Sequence, residues 1–389
     1  MKIRVKKAAE KKLRSGYPLV QREDLEEVPA SKEWLTFIDS RGEYLASGYL
    51  GEQNKGIGWL LDWQKRPINQ NFFVETFARA KAHRQSYYND PATTAFRLFN
   101  GEGDGIGGVT VDLYGEYAVF SWYNETLFAK KEVVVAAFRT VFPEVKGAYE
   151  KIRFSAEGLP ESRLLYGESA PEPLLVQENF VNYAVYLNEG LMTGIFLDQK
   201  EVRGRLAEGL AAGKRVLNMF SYTGAFSVAA AMGGALETTS VDLAKRSLPK
   251  TREQFEVNGL KPADQKIHVM DVFSYFAYAR KKELTFDMII LDPPSFARNK
   301  KQVFSVQKNY GELVADSLSI MSKRGVLIAS TNAANLSVEK FKKSIEEQFK
   351  EAGVQWQLLE AYRLPEDFCV LPAFSEGNYL KVFIYKIEK

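Results

Sequence analysis

Short apolar runs recur along this chain, and the spacing between them changes twice. In residues 1–68 the runs are brief and are separated by glycine-bearing turns, which is typical of strands joined by tight connections. Arg66-Pro67 ends this stretch. The pattern predicts a small β-rich module with strands at Trp34–Ile38, Tyr44–Tyr49 and Gly58–Leu61.

Residues 69–173 mix helical and strand patterns, which predicts a separate small α+β domain. Helices are predicted over Gln70–Ser86, where apolar residues recur at helical spacing, and over Phe128–Phe142. Leu159–Pro173 contains three prolines and is predicted to be a loop and linker.

A glycine-rich stretch inside this domain, with Gly103, Gly105 and Gly108, formally matches the dinucleotide-binding pattern. That pattern requires a strand before it and a helix after it. Here the β-branched run Val109–Leu113 and the alternating run Tyr117–Trp122 follow instead. A turn between strands is therefore the better interpretation.

From residue 174 to residue 389 strand and helix patterns alternate, which predicts a doubly wound parallel sheet. After the helix Val338–Glu351 two strands follow with no helix between them, so the last is expected to run antiparallel. The predicted strands are 215–220, 238–242, 266–270, 286–291, 324–330, Val354–Tyr362 and Asn378–Ile387.

Chemistry-bearing residues stand at the ends of four of these strands. Residues 215–227 read as a strand, a small-residue turn and a helix start, where Gly224 lets a ligand approach the backbone. Asp242 and Asp271 end the next two strands, and Asp292 ends the fourth, directly before two prolines. An open α/β sheet binds ligands at this edge, and an acid on its second strand can accept both ribose hydroxyls of an adenosine ligand.

Composition limits the alternatives. A chain of 389 residues is expected to form two or three domains. One cysteine, Cys369, and two histidines allow neither an internal disulfide nor a zinc cluster, so no metal is expected. The charged start of the chain does not resemble a signal peptide, and no apolar run is long enough to span a membrane. A cytoplasmic protein is therefore expected.

The net charge is only +3, so binding to polyanions would depend on local patches. One patch, Met1–Arg14, carries seven basic residues and one acid. A second, Ser295–Tyr310, has no acid, and its cations include Arg298, Lys300 and Lys301 between the rings of Phe296, Phe304 and Tyr310. Cations and aromatic faces together are typical of single-stranded nucleic acid binding.

The motifs in this order resemble those of the ribosomal RNA large-subunit methyltransferases that use S-adenosylmethionine. The resemblance spans nearly the whole chain, and its final strand pair is the class I methyltransferase arrangement. It implies a Rossmann-like methyltransferase domain at 174–389, a middle α+β domain at 69–173 and an RNA-binding PUA-like barrel at 1–68. The matching stretches are Thr193–Gln199, Val216–Gly224, Asp242, Asp271–Phe273, Asp292–Phe296, Glu376–Lys381 and the turn at 101–108.

The resemblance also implies roles for individual residues. The methionine end of the cofactor would contact Phe196, Asp198 and Gln199, and the loop beneath it would contain Asn218, Ser221 and Gly224. Asp242 would hold the ribose and Asp271 the adenine amino group. The cofactor and the target base would meet at Asp292, Pro293, Pro294, Ser295 and Phe296.

One position departs from the family pattern. Members that methylate carbon 5 of cytosine carry a nucleophilic cysteine just after the fifth strand, where this chain has Asn332. Cytosine carbon 5 needs covalent activation by a thiolate, whereas a ring nitrogen has its own lone pair. A related member that methylates guanine N7 also has asparagine there, so transfer to a nitrogen without a covalent intermediate is favoured.

Four hypotheses remain after this comparison. The first is methyl transfer to a nitrogen of a large-subunit ribosomal RNA base, and the second is transfer to cytosine carbon 5. The third is an RNA-binding protein that keeps the cofactor fold without turnover, which the full set of cofactor acids disfavours. The fourth is a small-molecule methyltransferase, which the extra N-terminal domain disfavours. A homodimer is a further expectation.

Overall fold

The computed structural model describes residues 1–29, 33–53, 56–298 and 303–389. Backbone contacts divide the chain into two compact units. Unit 1 comprises Met1–Val176, Tyr186–Thr193 and Glu366–Gly377, and unit 2 comprises Gln177–Val185, Gly194–Pro365 and Asn378–Lys389. The finer division into three domains, at residues 68 and 173, stays a prediction.

Unit 1 contains two five-stranded sheets. The first has the order β1-β3-β4-β5-β2 and the second the order β10-β9-β8-β7-β6. The strands are β1 (Lys2–Arg4), β2 (Leu19–Val20), β3 (Trp34–Ile38), β4 (Tyr44–Gln53), β5 (Gly56–Asp62), β6 (Ala95–Asn100), β7 (Val109–Tyr114), β8 (Tyr117–Trp122), β9 (Gly147–Ile152) and β10 (Ser162–Gly167). The helices are α1 (Lys7–Arg14), α2 (Gln70–His83), α3 (Gln85–Tyr88), α4 (Glu125–Phe128) and α5 (Lys131–Val141).

The second sheet of unit 1 confirms the rejection of the dinucleotide pattern. The glycine-rich stretch lies between β6 and β7, which pair antiparallel, and β7 pairs antiparallel with β8. Helices α2 and α5 cover this sheet through aromatic contacts: the ring centroids of Phe77 on α2 and Phe99 on β6 are 5.0 Å apart, and those of Phe138 on α5 and Phe120 on β8 are 4.9 Å apart. The alternating apolar pattern is thus a packed face and not a cofactor loop.

One sequence expectation in unit 1 needs correction. Leu159–Pro173 is not a simple linker, because β10 lies within it and pairs antiparallel with β9. Its side chains are half-buried or exposed, so the strand lacks the apolar alternation that would reveal it. The basic patch Met1–Arg14 includes α1, which buries Ala9 and Leu13.

Unit 2 is built on a seven-stranded sheet with the order β15-β14-β13-β16-β19-β21-β20. Its strands, and the two hairpins beside it, are β11 (Leu174–Glu178), β12 (Val181–Val185), β13 (Arg215–Met219), β14 (Glu237–Asp242), β15 (Lys266–Val269), β16 (Phe286–Leu291), β17 (Phe296–Arg298), β18 (Val303–Ser305), β19 (Met321–Thr331), β20 (Gln355–Tyr362) and β21 (Lys381–Glu388). The helices are α6 (Lys200–Arg205), α7 (Ala225–Met232), α8 (Ser247–Glu256), α9 (Val272–Lys281), α10 (Val306–Ile320) and α11 (Val338–Glu351).

The first five strands of this sheet are parallel, and β21 runs antiparallel to both β19 and β20. The predicted doubly wound sheet with a final antiparallel hairpin is therefore confirmed. Its central strands β13 and β16 are mostly buried along their length, as expected when both faces of a sheet are covered. Leu217 and Ile289 belong to the core on one face, and Val216 and Ile290 to the core on the other.

The strand order reverses direction at β13, which has β14 on one side and β16 on the other. The crevice at such a reversal, beyond the carboxyl ends of the strands, is where open α/β sheets bind ligands. The loops after β13, β14, β16 and β19 all leave the sheet at this edge.

Candidate cofactor and transfer site

The loop after β13 has an unusually constrained backbone. Phe220 and Tyr222 adopt left-handed conformations with φ of 59° and 51°, and Gly224, at the start of α7, has φ of 80°. A side chain at Gly224 would also clash, because its Cβ would lie 2.5 Å from a methyl carbon of Thr251. Such conformations in bulky residues cluster at ligand sites, where neighbouring structure holds them in place.

Asp242, at the end of β14, holds this loop in place. One carboxylate oxygen accepts a hydrogen bond from the backbone N–H of Tyr222 at 2.9 Å, and the other accepts one from the N–H of Ala244 at 2.8 Å. Each oxygen keeps a further lone pair. Asp242 can therefore fix the β13 loop and still accept from a ligand hydroxyl.

A second loop, Phe196–Gln199, lies in the same unit. Phe196 is exposed and packs against Tyr222, with ring centroids 5.4 Å apart. The Asp198 carboxylate accepts a hydrogen bond from the Tyr379 hydroxyl at 2.9 Å. Gln199 is buried and donates from Nε2 to Asp292 at 3.1 Å and to Ser330 Oγ at 2.8 Å. This loop therefore connects to the ends of β16 and β19.

Three buried polar atoms at these strand ends have no hydrogen-bond partner among the described residues. They are Asn218 Oδ1, Ser221 Oγ and Gln199 Oε1. Buried polar atoms in folded proteins are nearly always paired, so unpaired ones need an explanation. A polar ligand with donor groups would satisfy them, and S-adenosylmethionine offers ammonium and hydroxyl donors.

Asp292, at the end of β16, is half-buried. Burial raises the pKa of its carboxyl to about 6, and the nearby Asp198 carboxylate adds to the increase. Donors on Ser330 and Gln199 and the Arg203 charge act in the opposite direction. Two neighbouring acids, one of them with a pKa shifted towards neutral pH, are typical of a functional site.

Asn332 follows β19 and has an exposed side chain. Its Oδ1 accepts a hydrogen bond from the Ser295 hydroxyl at 2.6 Å. This hydrogen bond uses the amide oxygen of Asn332, so its two amide N–H groups can donate to a ligand. Phe296, the next residue after Ser295, is also exposed, with 61% of its surface accessible.

Asp271 has a different local role from the other acids. It caps the first turn of α9, where one carboxylate oxygen accepts from the backbone N–H of Ser274 at 3.0 Å and from its hydroxyl at 3.2 Å. Its assignment to the adenine amino group stays a prediction.

The predicted RNA-contacting run after Asp292 needs a partial correction. Phe304 and Tyr310 are buried in the core of unit 2, so their rings cannot stack on unpaired bases. Arg298 ends β17, and Lys300 and Lys301 lie outside the described residues. Of the three rings in this run, Phe296 alone is exposed.

Cys369 is in unit 1, and its thiol donates to the carbonyl oxygen of Gly103 at 3.3 Å. Burial raises the pKa of this thiol, and the Asp104 carboxylate adds to the increase. Such a thiol is mostly protonated at neutral pH and is a poor nucleophile.

The sequence analysis assigned no role to four residues that the structure places among the site residues. Ser330 accepts a hydrogen bond from Gln199, and Arg203 donates one to the carbonyl oxygen of Phe196. Tyr379 contacts Asp198, and Lys381 contacts the loop after Asn332. Tyr379 and Lys381 belong to the matched stretch Glu376–Lys381, which was the available signal.

A parallel sheet with an antiparallel last hairpin, and a polar crevice at its reversal point, defines a class I methyltransferase. A family model described as S-adenosylmethionine-dependent methyltransferase matches residues 159–383, and a PUA-like domain model matches residues 3–63. The chain belongs to the S-adenosylmethionine-dependent methyltransferase family, and S-adenosylmethionine is its cofactor.

Relatives with curated names match the chain along its length. The Bacillus subtilis protein YwbD, named as a candidate ribosomal RNA large subunit methyltransferase, is 48% identical over 98% of both chains. Ribosomal RNA large subunit methyltransferase I of Aeromonas salmonicida is 30% identical, again over 98% of both. Among solved structures, the candidate methyltransferase SMU.776 complexed with SAH is 49% identical with a TM-score of 0.94, covering 99% of this chain and 100% of that one.

Replacing Asp242 by alanine is expected to weaken S-adenosylmethionine binding at least tenfold. A hydrogen bond to a charged group contributes ~1.5 to 3 kcal/mol, and the substitution also frees the N–H of Tyr222. Titration calorimetry with the folded variant checks this. Asp264→Ala, which changes an acid outside the site, is the control. Equal affinity for Asp242→Ala and the parent would remove Asp242 from the cofactor site.

Proposed function

We propose that this enzyme transfers the methyl group of S-adenosylmethionine to a nitrogen of a base in large-subunit ribosomal RNA, without a covalent enzyme–RNA intermediate. The observation that carries the proposal is the pairing of Asn332 with Ser295 beside Asp292, at the place where a cysteine would be needed for carbon 5 chemistry. The names of the relatives support ribosomal RNA as the substrate class.

The cofactor supplies an activated methyl group on a sulfonium centre. Asp198 and Gln199 would accept from the donors at its methionine end, and Asn218 and Ser221 have unpaired oxygens for further donors. Asp242 would accept from the ribose, and Asp271 from the adenine amino group. Methyl transfer to a lone pair needs alignment more than acid–base catalysis, so the protein contributes mainly orientation.

The base would be held by residues at the ends of β16 and β19. The exposed ring of Phe296 can stack on a base, and the Asn332 amide, turned by the Ser295 hydroxyl, can donate to a base carbonyl. Guanine presents a carbonyl oxygen beside its N7, which fits a donor at Asn332. Pro293 and Pro294 stiffen the connection between Asp292 and Ser295.

The RNA backbone around the target base would bind to positively charged side chains. Arg298, Lys300 and Lys301 follow the transfer site in the sequence, and positive charge close to the target nucleotide favours the phosphate backbone. The PUA-like domain over residues 3–63 would add a second RNA contact. Among the described residues no helix has both the length and the apolar composition to cross a membrane. A cytoplasmic place of action is part of the proposal, and the homodimer stays a prediction.

The proposal is tested by incubating the enzyme with S-adenosylmethionine labelled in its methyl group and with large-subunit RNA from a strain that lacks the enzyme. Label is expected in this RNA and not in transfer RNA. Label in transfer RNA alone would contradict the proposed substrate.

Covalent chemistry is tested separately with RNA containing 5-fluorocytidine, a trap for enzymes that add a thiolate to cytosine. No adduct is expected on denaturing electrophoresis, because Asn332 cannot add to carbon 6 and the Cys369 thiol has a raised pKa. Cys369→Ala should retain full activity. An adduct that disappears in Cys369→Ala would restore the cytosine carbon 5 hypothesis.

A further inference from the structure

The stretch Glu376–Lys381, which leads into β21, matches the family motif, but the proposed function gives it no role. Two of its side chains, Tyr379 and Lys381, are two residues apart, and each reaches a loop of the transfer site within unit 2. The Tyr379 hydroxyl donates to Asp198 at 2.9 Å. The Lys381 ammonium donates to the carbonyl oxygen of Ala333 at 3.0 Å and to that of Tyr379 at 2.7 Å.

Lys381 is almost fully buried, with 3% of its surface accessible. A buried ammonium is unfavourable unless several acceptors surround it. Its carbonyl acceptors are backbone groups of the loop after β19 and of the segment just before β21. A neutral side chain could fill the same space without the cost of burying a charge. The charge is therefore best explained by the loop after β19, which it holds through the carbonyl of Ala333.

That loop carries Asn332 between two fixed neighbours. The N–H of Ala333 donates to Thr331 Oγ1 at 3.1 Å, and the carbonyl of Ala333 also accepts from the N–H of Leu336 at 3.2 Å. Lys381 adds a charge-assisted bond to the same carbonyl, and such bonds are stronger than neutral ones. The Asn332 side chain is exposed, and its amide oxygen accepts from the Ser295 hydroxyl. The backbone that follows it, at Ala333, is fixed by the bonds to Thr331, Leu336 and Lys381.

We propose that Tyr379 and Lys381 are positioning residues of the methyl-transfer site. Tyr379 orients Asp198 on the cofactor side, and Lys381 orients the Asn332 loop on the base side. One short segment thereby sets the relative placement of methyl donor and acceptor. This inference rests on the proposed function, in which Asn332 faces the target base.

The two residues should differ in their kinetic signatures. Tyr379→Phe removes one hydroxyl and leaves the ring, so it should weaken S-adenosylmethionine binding about tenfold, the effect of losing a hydrogen bond to a charged group. Calorimetry measures this without any RNA. Tyr278→Phe, which alters an exposed tyrosine on α9, is the matched control and should leave the affinity unchanged.

Lys381→Met keeps the apolar stem and removes the ammonium. It should lower kcat about 100-fold, the size typical of a small misplacement of reacting groups, and leave cofactor affinity unchanged. If Lys381 acts through Asn332, then adding Lys381→Met to Asn332→Ala should lower kcat little further. Lys386→Met, on the exposed side of the same strand, is the control and should have no effect.

A readout without RNA separates this inference from the proposed function. Hydrogen exchange of residues 331–336 should become faster in Lys381→Met, while exchange in β16 stays as in the parent. Failure of the parent enzyme to methylate ribosomal RNA would contradict the proposed function only. Unchanged cofactor affinity in Tyr379→Phe together with unchanged exchange in Lys381→Met would overturn the positioning roles, as would additive losses of kcat in the double variant.

Discussion

Replacing Asp292 by asparagine is expected to lower methyl transfer about 100-fold, the loss typical when reacting groups are no longer aligned, and to make the cofactor-free protein more stable. The side chain keeps its shape and its acceptor for the Nε2 group of Gln199, so the fold should persist. What disappears is a half-buried negative charge beside Asp198. A carboxylate that destabilises the free protein is useful when it binds a cationic cofactor.

The pH dependence follows from the raised pKa of Asp292, about 6. The folded chain binds this proton at a higher pH than the unfolded chain does, so the contribution of Asp292 to the free energy of unfolding falls as pH rises through about 6. The cation favours the ionised carboxyl, so affinity for S-adenosylmethionine should fall as pH drops below about 6. Asp292→Asn should lose this dependence.

Calorimetry between pH 5 and pH 7, with melting temperatures of the free proteins, measures both effects. Asp287→Asn is the matched control, since Asp287 is the second residue of the same strand, at its other end, and forms a partly exposed ion pair with Arg215. It should leave transfer and affinity unchanged. SAH, which lacks the sulfonium charge, should show a weaker pH dependence. Full activity of Asp292→Asn would exclude a role for this charge.

Replacing Glu178 by alanine is expected to destabilise unit 2 by about 3 to 5 kcal/mol, the effect of leaving one partner of a buried ion pair alone. Glu178 accepts two hydrogen bonds of 2.7 Å from the Arg203 guanidinium, and both side chains are at most 2% exposed. Arg203 also donates to the carbonyl of Phe196 at 2.7 Å. Cofactor affinity should therefore fall together with stability.

Differential scanning calorimetry with and without S-adenosylmethionine identifies the transition of unit 2, because the ligand raises it. Glu347→Ala, in the exposed pair with Lys343, is the control and should cost no more than about 0.5 kcal/mol. Adding Arg203→Met to Glu178→Ala should recover part of the stability, since no unpaired charge remains. A Glu178→Ala transition equal to that of the parent would show that the pair does not stabilise unit 2.

The sequence predicted the sheet of unit 2 well because its signals are local. Apolar runs end in acids or in Asp292-Pro-Pro, and the bounds of β16 and α11 agree with the prediction. The antiparallel β21 followed from the missing helix between the last two strands. Strands β14 and β16 lie on either side of β13, so Asp242 and Asp292 stand at the same edge of the sheet. Gln199 donates a hydrogen bond to Asp292 there.

The sequence did not reveal features that depend on distant partners. Strand β10 is paired with β9 but has no buried face, so the prolines on either side of it dominated the pattern. Glu366–Gly377 separates β20 from β21 in sequence but packs in unit 1, where Arg84 donates to the carbonyl of Asp367. Phe304 and Tyr310 read as binding rings until their burial was known. Lys381 belongs to the matched stretch Glu376–Lys381, but its buried contact with the carbonyl of Ala333 depends on a partner that is distant in the sequence.

The central claim is transfer to a base nitrogen, and the identity of the methylated nucleoside tests it most directly. Large-subunit RNA from a strain lacking the enzyme is incubated with the enzyme and S-adenosylmethionine, digested to nucleosides and analysed by mass spectrometry against methylated standards. A new nucleoside methylated on a ring nitrogen, guanine N7 foremost, is the predicted product, and Asp292→Asn should form it about 100-fold more slowly. The appearance of 5-methylcytidine instead would contradict the account.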